Sequence, residues 1–431
     1  MQYIQYTNQK DLNSIIKRPV REKEDLFPVV RKIMDEVKNN GDRALINFSE
    51  KFDGNAPKYI SLNKTTMEEN VKGISDDLKD AIDLAIKNIK QFHLAQISSE
   101  IKIEPAPGVI CEQRAVPIEK VGLYIPGGTA PLFSSVIMLA VPAVLAGCKE
   151  IVLITPPDIN GEIPTTIQYA ALQSGLTTIY CGGGAQGIAA LTYGTEGIPK
   201  VDKILGPGNQ FVTAAKQLAF LEGIAIDMPA GPSEVAVIAD ADANAAFVAA
   251  DLLSQAEHGT DSQVLLIGTN DKKLNEIEKE LNKQIKDLPR SEIAKTTLSK
   301  SLVVKTSDTD EAMSISNAYA PEHLILATSN ARELATKVTN AGSVFIGALT
   351  PESAGDYASG TNHTLPTNRA ATAFSGVNMD AFMKKITFQE LSSEGVNSIG
   401  KAVVTMAQNE QLQAHANAMQ LRINNLKNLT S

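Results

Sequence analysis

The chain is 431 residues long, enough for two or more domains with sizeable cores. Its hydrophobic content of 43% is that of an ordinary soluble globular protein, and 40 Lys+Arg against 49 Asp+Glu give a net charge of −9. That acidity speaks against nucleic acid, which asks for a basic face, and no block of like charge forms a polybasic tail.

The first fourteen residues, MQYIQYTNQKDLNS, are polar and lack the basic-then-apolar layout of a secretion signal. A helical period follows over 22–41 (Leu26, Val29, Val30, Ile33, Met34, Val37) and closes at Gly41. A second helix is expected over 42–52 and a third over 75–97, with Ser75 as its cap. Short alternating segments broken by Pro and Gly over 101–124 predict strands and a hairpin.

From there the pattern becomes strand, loop, helix, repeated. Apolar runs at 121–125, 150–155, 177–181, 203–205 and 224–227 alternate with helical stretches, the first over 131–146. The most apolar run, 131–148, is broken by Ser134, Ser135 and Pro142, so it falls short of the ~20 clean residues of a bilayer span and reads as a buried crossover helix. A second series begins at Glu234: EVAVIA, a helix to His258, VLLIG, a helix from 271, SLVVKT, a helix, LILAT, a helix over 331–339, and SVFIG. Continuous apolar strands separated by helices mean parallel sheets covered on both faces, so the fold class is α/β with two Rossmann-like domains. Whether the two series are an internal duplication stays open. The segment 350–368, TPESAGDYASGTNHTLPTN, is a long loop whose Asp356, Tyr357 and His363 favour function. The tail from 387 is expected to be helical, and its polar stretch 403–426 to lie on another surface, of this chain or of another subunit. Cys111, Cys148 and Cys181 are odd in number and in no paired motif, which suits reduced thiols in a cytoplasmic protein.

Five histidines occur. His93 has no acid beside it and reads as structural. The other four stand near acids or amides: His258 with Gln255 and Glu257, His323 with Glu322, His363 with Asp356, and His415 with Glu410. Gln255 and His258 are three apart, on one face of a last helical turn, and form either half of a thiolate-free metal site or a solvated helix end. Pro321 disfavours helix at Ala320 and sets Glu322 and His323 just ahead of the strand LILAT. Binding sites gather at the carboxyl ends of parallel strands, so this position counts against an active role unless the loop folds back over the sheet.

The run 182–187, GGGAQG, has the spacing G-x-G-x-x-G between a strand and a helix, and Asp202 stands where a ribose-binding acid would. It is either a dinucleotide fingerprint or a plain glycine turn. The turns 126–129, 206–209 (with Asn209 as cap) and 229–233 would bind phosphate through backbone amides, or reflect turn chemistry alone. H-E-x-x-H, G-x-S-x-G and P-loop motifs are absent, which removes the commonest hydrolase and NTPase readings.

Taken together, VGLYIPGGTAPL, GGGAQGIAAL, VDKILGPGN, DMPAGPSEVAVIAD, LLSQAEHG, NAYAPEHL and GSVFIGALTPESAGDYASGTNHTLPT, in this order over nearly the whole chain, closely resemble the histidinol dehydrogenases. The resemblance implies oxidation of L-histidinol to L-histidine by two NAD⁺, through an aldehyde, in a zinc-dependent cytoplasmic homodimer. It implies one zinc per subunit held by Gln255, His258, Asp356 and, from the partner's tail, His415. It makes Glu322 and His323 the acid/base pair. Ser233, His363 and Glu410 join His323 and the metal ligands as substrate contacts, and Tyr124, Gln186 and Asn209 contact the nucleotide, which this family does not grip through the usual Rossmann fingerprint.

The implied layout is a small helical N-terminal segment (1–22), a discontinuous α/β domain (23–123 and 234–376) carrying the metal and acid/base residues, an inserted nucleotide-binding domain (124–233), and a helical dimerisation tail (377–431). Rival readings are a relative oxidising another polar alcohol, a zinc hydrolase using Glu322 to activate water, and a non-catalytic dimeric scaffold.

Overall fold

A computed structural model describes residues 1–7, 9–18, 26–127, 131–228 and 231–430. Positions 22–25 of the first expected helix, Gly128 and Thr129 of one expected phosphate turn, and Pro229 and Ala230 of another lie outside the described residues. The chain forms two compact units: Met1–Gln96 with Ile118–Phe382, and Ile97–Pro117 with Met383–Ser431.

Among the described residues the strands are β1 (Gln2–Gln5), β2 (Ser61–Asn63), β3 (Ile101–Ala106), β4 (Val109–Pro117), β5 (Lys120–Tyr124), β6 (Glu150–Thr155), β7 (Thr178–Cys181) and β8 (Lys203–Leu205). They continue with β9 (Ala225–Ile226), β10 (Glu234–Ala239), β11 (Gln263–Gly268), β12 (Leu302–Lys305), β13 (His323–Ala327), β14 (Ser343–Ile346) and β15 (Met383–Leu391). The larger unit holds two six-stranded sheets, ordered β2-β7-β6-β5-β8-β9 and β1-β12-β11-β10-β13-β14. Every pairing in the second is parallel, and in the first only β2 runs antiparallel.

Without their edge strands β2 and β1, both sheets start in the middle, step outward one way, and return to add two strands on the other side. The order reverses between β5 and β8 in one sheet and between β10 and β13 in the other. The two chain series therefore share one topology, which the residues alone left open.

The continuous apolar runs have a direct cause. Along β10, Val235, Val237 and Ala239 enter one core with Val264, Leu266 and Ile325, whereas Ala236 and Ile238 enter another with Leu265, Ile267 and Leu324. Side chains alternate across a strand, so both parities must be apolar when helices cover both faces. Each such Val, Leu or Ile gains roughly 1.5–3 kcal/mol on leaving water.

Three expectations are corrected. The N-terminal segment is not only helical: β1 pairs in parallel with β12 and extends the sheet edge. The tail is not helical from 387, because Thr387 lies inside β15, which pairs antiparallel with β4 along its whole length. Helices follow only at Ser393–Asn409 and Gln413–Thr430. Finally, β2, β5 and the helix Leu26–Phe52 belong with residues 124–233, not with the sheet carrying His323. The helix buries Val30, Ile33, Met34, Val37 and Leu45 against Ile154, Ala189 and Leu218, because its apolar stripe finds its complement there. As expected, the helical period breaks at Gly41, whose φ is 54°.

The smaller unit is the three-stranded sheet β15-β4-β3 with the two C-terminal helices. Gly400 lets these helices approach closely, since a Cβ there would meet Ile423. Ile101, Ile103, Ile386, Phe388, Met406, Leu421 and Leu429 of this unit are exposed in the single chain.

Candidate active site

A cavity of about 990 Å³ in the larger unit is lined by Pro126, Gly206, Pro207, Gly208 and Asn209 from the carboxyl ends of β5 and β8. Its other wall is Ser233, His258, Glu322 and His363, with Ser233 and Glu322 ahead of β10 and β13. The topological switch of one sheet thus faces the amino ends of the other. Glu322 and His323 lie at the amino end, where the opposing sheet's loops make a cleft; Glu322 lines that cavity, whereas His323 is buried without lining it.

The switch loop is built firmly. Gly206 has φ of 132°, and a Cβ would run into the Tyr124 carbonyl. Its N–H donates to Asp227 at 2.8 Å and its carbonyl accepts from Lys216 Nζ at 2.8 Å, while Lys216 and Asp227, both buried, pair with each other. Asn209 caps the helix Gln210–Leu221, accepting from the Phe211 and Val212 amides.

Tyr124 and Gln186 are buried and stand at the same carboxyl edge without lining the cavity. The Tyr124 hydroxyl accepts from the Gly184 N–H at 3.0 Å, and the Asp53 carboxylate lies 3.2 Å from where a Gly183 Cβ would be. The start of the helix Gly184–Tyr193, where a literal fingerprint would seat phosphate, is therefore already crowded by a phenol and an acid. Asp202 is at the amino edge of this sheet, accepting from the Lys120 N–H, at the wrong end for a ribose.

Glu234 organises the expected acid/base pair with its backbone. Its N–H donates to Glu322 Oε2 at 2.9 Å, and its carbonyl receives His323 Nδ1 at 3.1 Å. A carbonyl only accepts, so Nδ1 carries the proton and Nε2 presents a lone pair. That Nε2 is buried without a hydrogen-bond partner, 3.7 Å from Asp356 Oδ1. Burial pushes the His323 pKa down to about 3 and the Glu322 carboxyl well above its usual range. The imidazole is therefore neutral, and the carboxylates of Glu322 and Glu352 at 3.6–3.7 Å are neighbours, not ion-pair partners. By the same logic His363 donates from Nδ1 to the Asp356 carbonyl at 2.8 Å and accepts at Nε2 from the Ser135 hydroxyl at 3.1 Å.

The metal-type donors converge only in part within this unit. The helix Ala245–Ala256 ends before His258, which sits in the next turn with its N–H on the Gln255 carbonyl. His258, Glu352 and Asp356 offer ligand atoms all within 4.8 Å of one another. The buried Gln255 amide has neither oxygen nor nitrogen satisfied, and both Glu352 oxygens are likewise orphaned. Buried polar atoms without partners are costly, and imidazole with carboxylate and amide oxygen is a donor set that suits zinc. The residues present thus fit such an ion.

Glu352 is not among the residues expected from the sequence. Its signal was there to read: Glu352 and Asp356 are four apart on the short helix Glu352–Tyr357, hence on one face. Glu410 and His415 belong to the smaller unit, exposed at the corner between its two helices, where Gln411 has φ of 62°. His93 is buried with Nδ1 on the Ile89 carbonyl, a structural histidine as expected.

Asp251, on the helix Ala245–Ala256, is raised by burial to about 7 from an ordinary 3.8 and feels Glu352 nearby. The unfolded chain releases this proton near 3.8 while the folded chain keeps it until about 7, so rising pH favours unfolding across that window. Asp251→Asn should therefore raise the Tm of the zinc-free chain by an amount that grows from pH 4 to pH 7 and is flat above. Thermal melts across that range check it, and a gain independent of pH would contradict it.

A family model described as histidinol dehydrogenase matches residues 16–423. A histidinol dehydrogenase of Bacteroides thetaiotaomicron is 55% identical over 427 residues, covering 99% of this chain and 100% of that protein. One from Escherichia coli O6:H1 is 49% identical, covering 96% and 95%. The crystal structure of histidinol dehydrogenase from Elizabethkingia anophelis superposes with a TM-score of 0.96 at 49% identity, covering 99% of each chain.

Proposed function

The chain belongs to the histidinol dehydrogenase family, and from that premise we propose how its residues divide the work of oxidising L-histidinol to L-histidine. The family catalyses the final steps of histidine biosynthesis, and membership implies NAD and zinc. The reaction removes four electrons: alcohol to aldehyde, aldehyde to hydrate, hydrate to acid, with one NAD⁺ reduced at each oxidation.

Gln255, His258 and Asp356 would hold the zinc, completed by His415 of the partner subunit. When bound, zinc supplies a Lewis-acidic anchor for the amino alcohol and NAD the hydride acceptor. His323 Nε2 takes the hydroxyl proton in each oxidation, since the Glu234 carbonyl fixes the tautomer that leaves this nitrogen free. Glu322 takes a proton from water as the hydrate forms, a task suited by a carboxyl that burial has made more basic. Ser233, His363 and Glu410 contact the substrate. Asn209, which lines the cavity, contacts the nucleotide together with Tyr124 and Gln186 at the same carboxyl edge, with residues 124–233 the nucleotide-binding part of the chain.

The observation that carries this reading is the orphaned, neutral Nε2 of His323 beside Asp356. Apolar side chains exposed in the smaller unit support a homodimer. Among the described residues no helix is long and apolar enough to cross a membrane, and three free cysteines suit the cytoplasm.

Absorbance of NADH tests the whole. Protein with zinc, NAD⁺ and histidinol should yield two NADH per histidinol consumed, and none after chelation. No NADH from histidinol would overturn the proposal, and NADH only from other polar alcohols would change the substrate.

A further inference from the structure

Arg18 makes a set of contacts that the reaction as described does not use. Its Nε and Nη2 donate to Glu234 Oε1 and Oε2, each at 3.0 Å, a two-pronged pairing. Nη2 also donates to the Tyr319 carbonyl at 2.8 Å, and Nη1 to the Ile16 carbonyl at 3.2 Å. The guanidinium stacks 3.6 Å above the Tyr319 ring. The Arg18 side chain is 8% exposed and that of Glu234 is 0% exposed. With four bonds to protein acceptors out of five N–H donors, this group is committed to the fold rather than to a ligand's phosphate, although it borders the cavity.

What it grips is telling. Glu234 is the residue whose N–H holds Glu322 and whose carbonyl holds His323. Tyr319 ends the helix Thr309–Tyr319 just before Ala320, a buried residue in the left-handed region at φ 52° that turns the chain toward Glu322. A non-glycine residue there is strained and persists only when its surroundings fix it. One guanidinium, 216 residues from Glu234 in sequence, thus ties together the two points from which the Glu322–His323 dipeptide is aimed.

We propose that Arg18 is a positioning residue for Glu322 and His323, acting through Glu234 and Tyr319. The inference rests on the reading of Glu322 and His323 as the acid/base pair. Arg18→Met should lower kcat on the order of 10²-fold, the cost of a misaimed catalytic group, in both oxidations. Zinc content, NAD affinity and the KM for histidinol should change less than about threefold, the scale of a group remote from ligands.

Arg18→Lys should rescue little, because an ammonium offers neither fork nor stacking plane. Added guanidinium at millimolar concentration should restore part of the kcat of Arg18→Ala and none of that of His323→Asn. Should Arg18→Met fail to fold, Glu234→Gln should show the same split between kcat and KM.

A kcat within twofold of the parent, or a loss only in proportion to the folded fraction, overturns the proposal. Glu322→Gln and His323→Asn run beside it separate the two ideas. Loss in those variants with none in Arg18→Met overturns the positioning role alone, whereas no loss in them overturns both.

Discussion

His323→Asn should slow both hydride transfers by roughly 10²–10⁴-fold, the range for removing a positioned general base. Asparagine can still donate to the Glu234 carbonyl, so the loop should keep its place, but it has no basic nitrogen where Nε2 stood. The loss should appear in kcat with histidinol and equally with the aldehyde as starting substrate, at unchanged zinc content. Glu322→Gln provides the contrast. It keeps an acceptor for the Glu234 N–H but cannot take a proton from water, so NADH from the alcohol step should survive relative to the overall reaction. Comparing NADH yields from alcohol and aldehyde measures this, and equal losses in both would refute the division of labour.

Mixing two inactive proteins should restore activity. In a dimer where each zinc site takes His258 from one subunit and His415 from the other, pairing His258→Asn with His415→Asn leaves one site doubly damaged and one intact. Random exchange makes half the dimers mixed, so about a quarter of the parental activity should return. The geometry that motivates this is the exposure of His415 and Glu410 at the corner between the C-terminal helices, together with the open apolar side chains of the same unit. Activity after subunit exchange is the measurement, and no recovery despite demonstrated exchange would rule out a shared site.

Much of this molecule is legible in one dimension. EVAVIA and LILAT read as buried parallel strands because both faces of β10 and β13 meet helices, and the break at Gly41 reads from the end of an apolar period. The strand β15 is not legible in the sequence because MKKITFQEL is mostly exposed and takes its order from β4, far back in the chain. Pairing partners that distant leave no local signal. Glu352 is hard to single out for a related reason, since an acid on a six-residue helix in a glycine-rich loop looks solvated until the fold buries it.

The residues by themselves determined the α/β class and the inventory of imidazoles, carboxylates and amides, because periodicity and side-chain chemistry are local properties. The tertiary structure decided that the cleft opens at the amino ends of one sheet, that His323 bears its proton on Nδ1, and that Arg18 reaches Glu234. Those outcomes depend on burial and on groups 89 and 216 residues apart in the chain, and neither exists until the chain has folded.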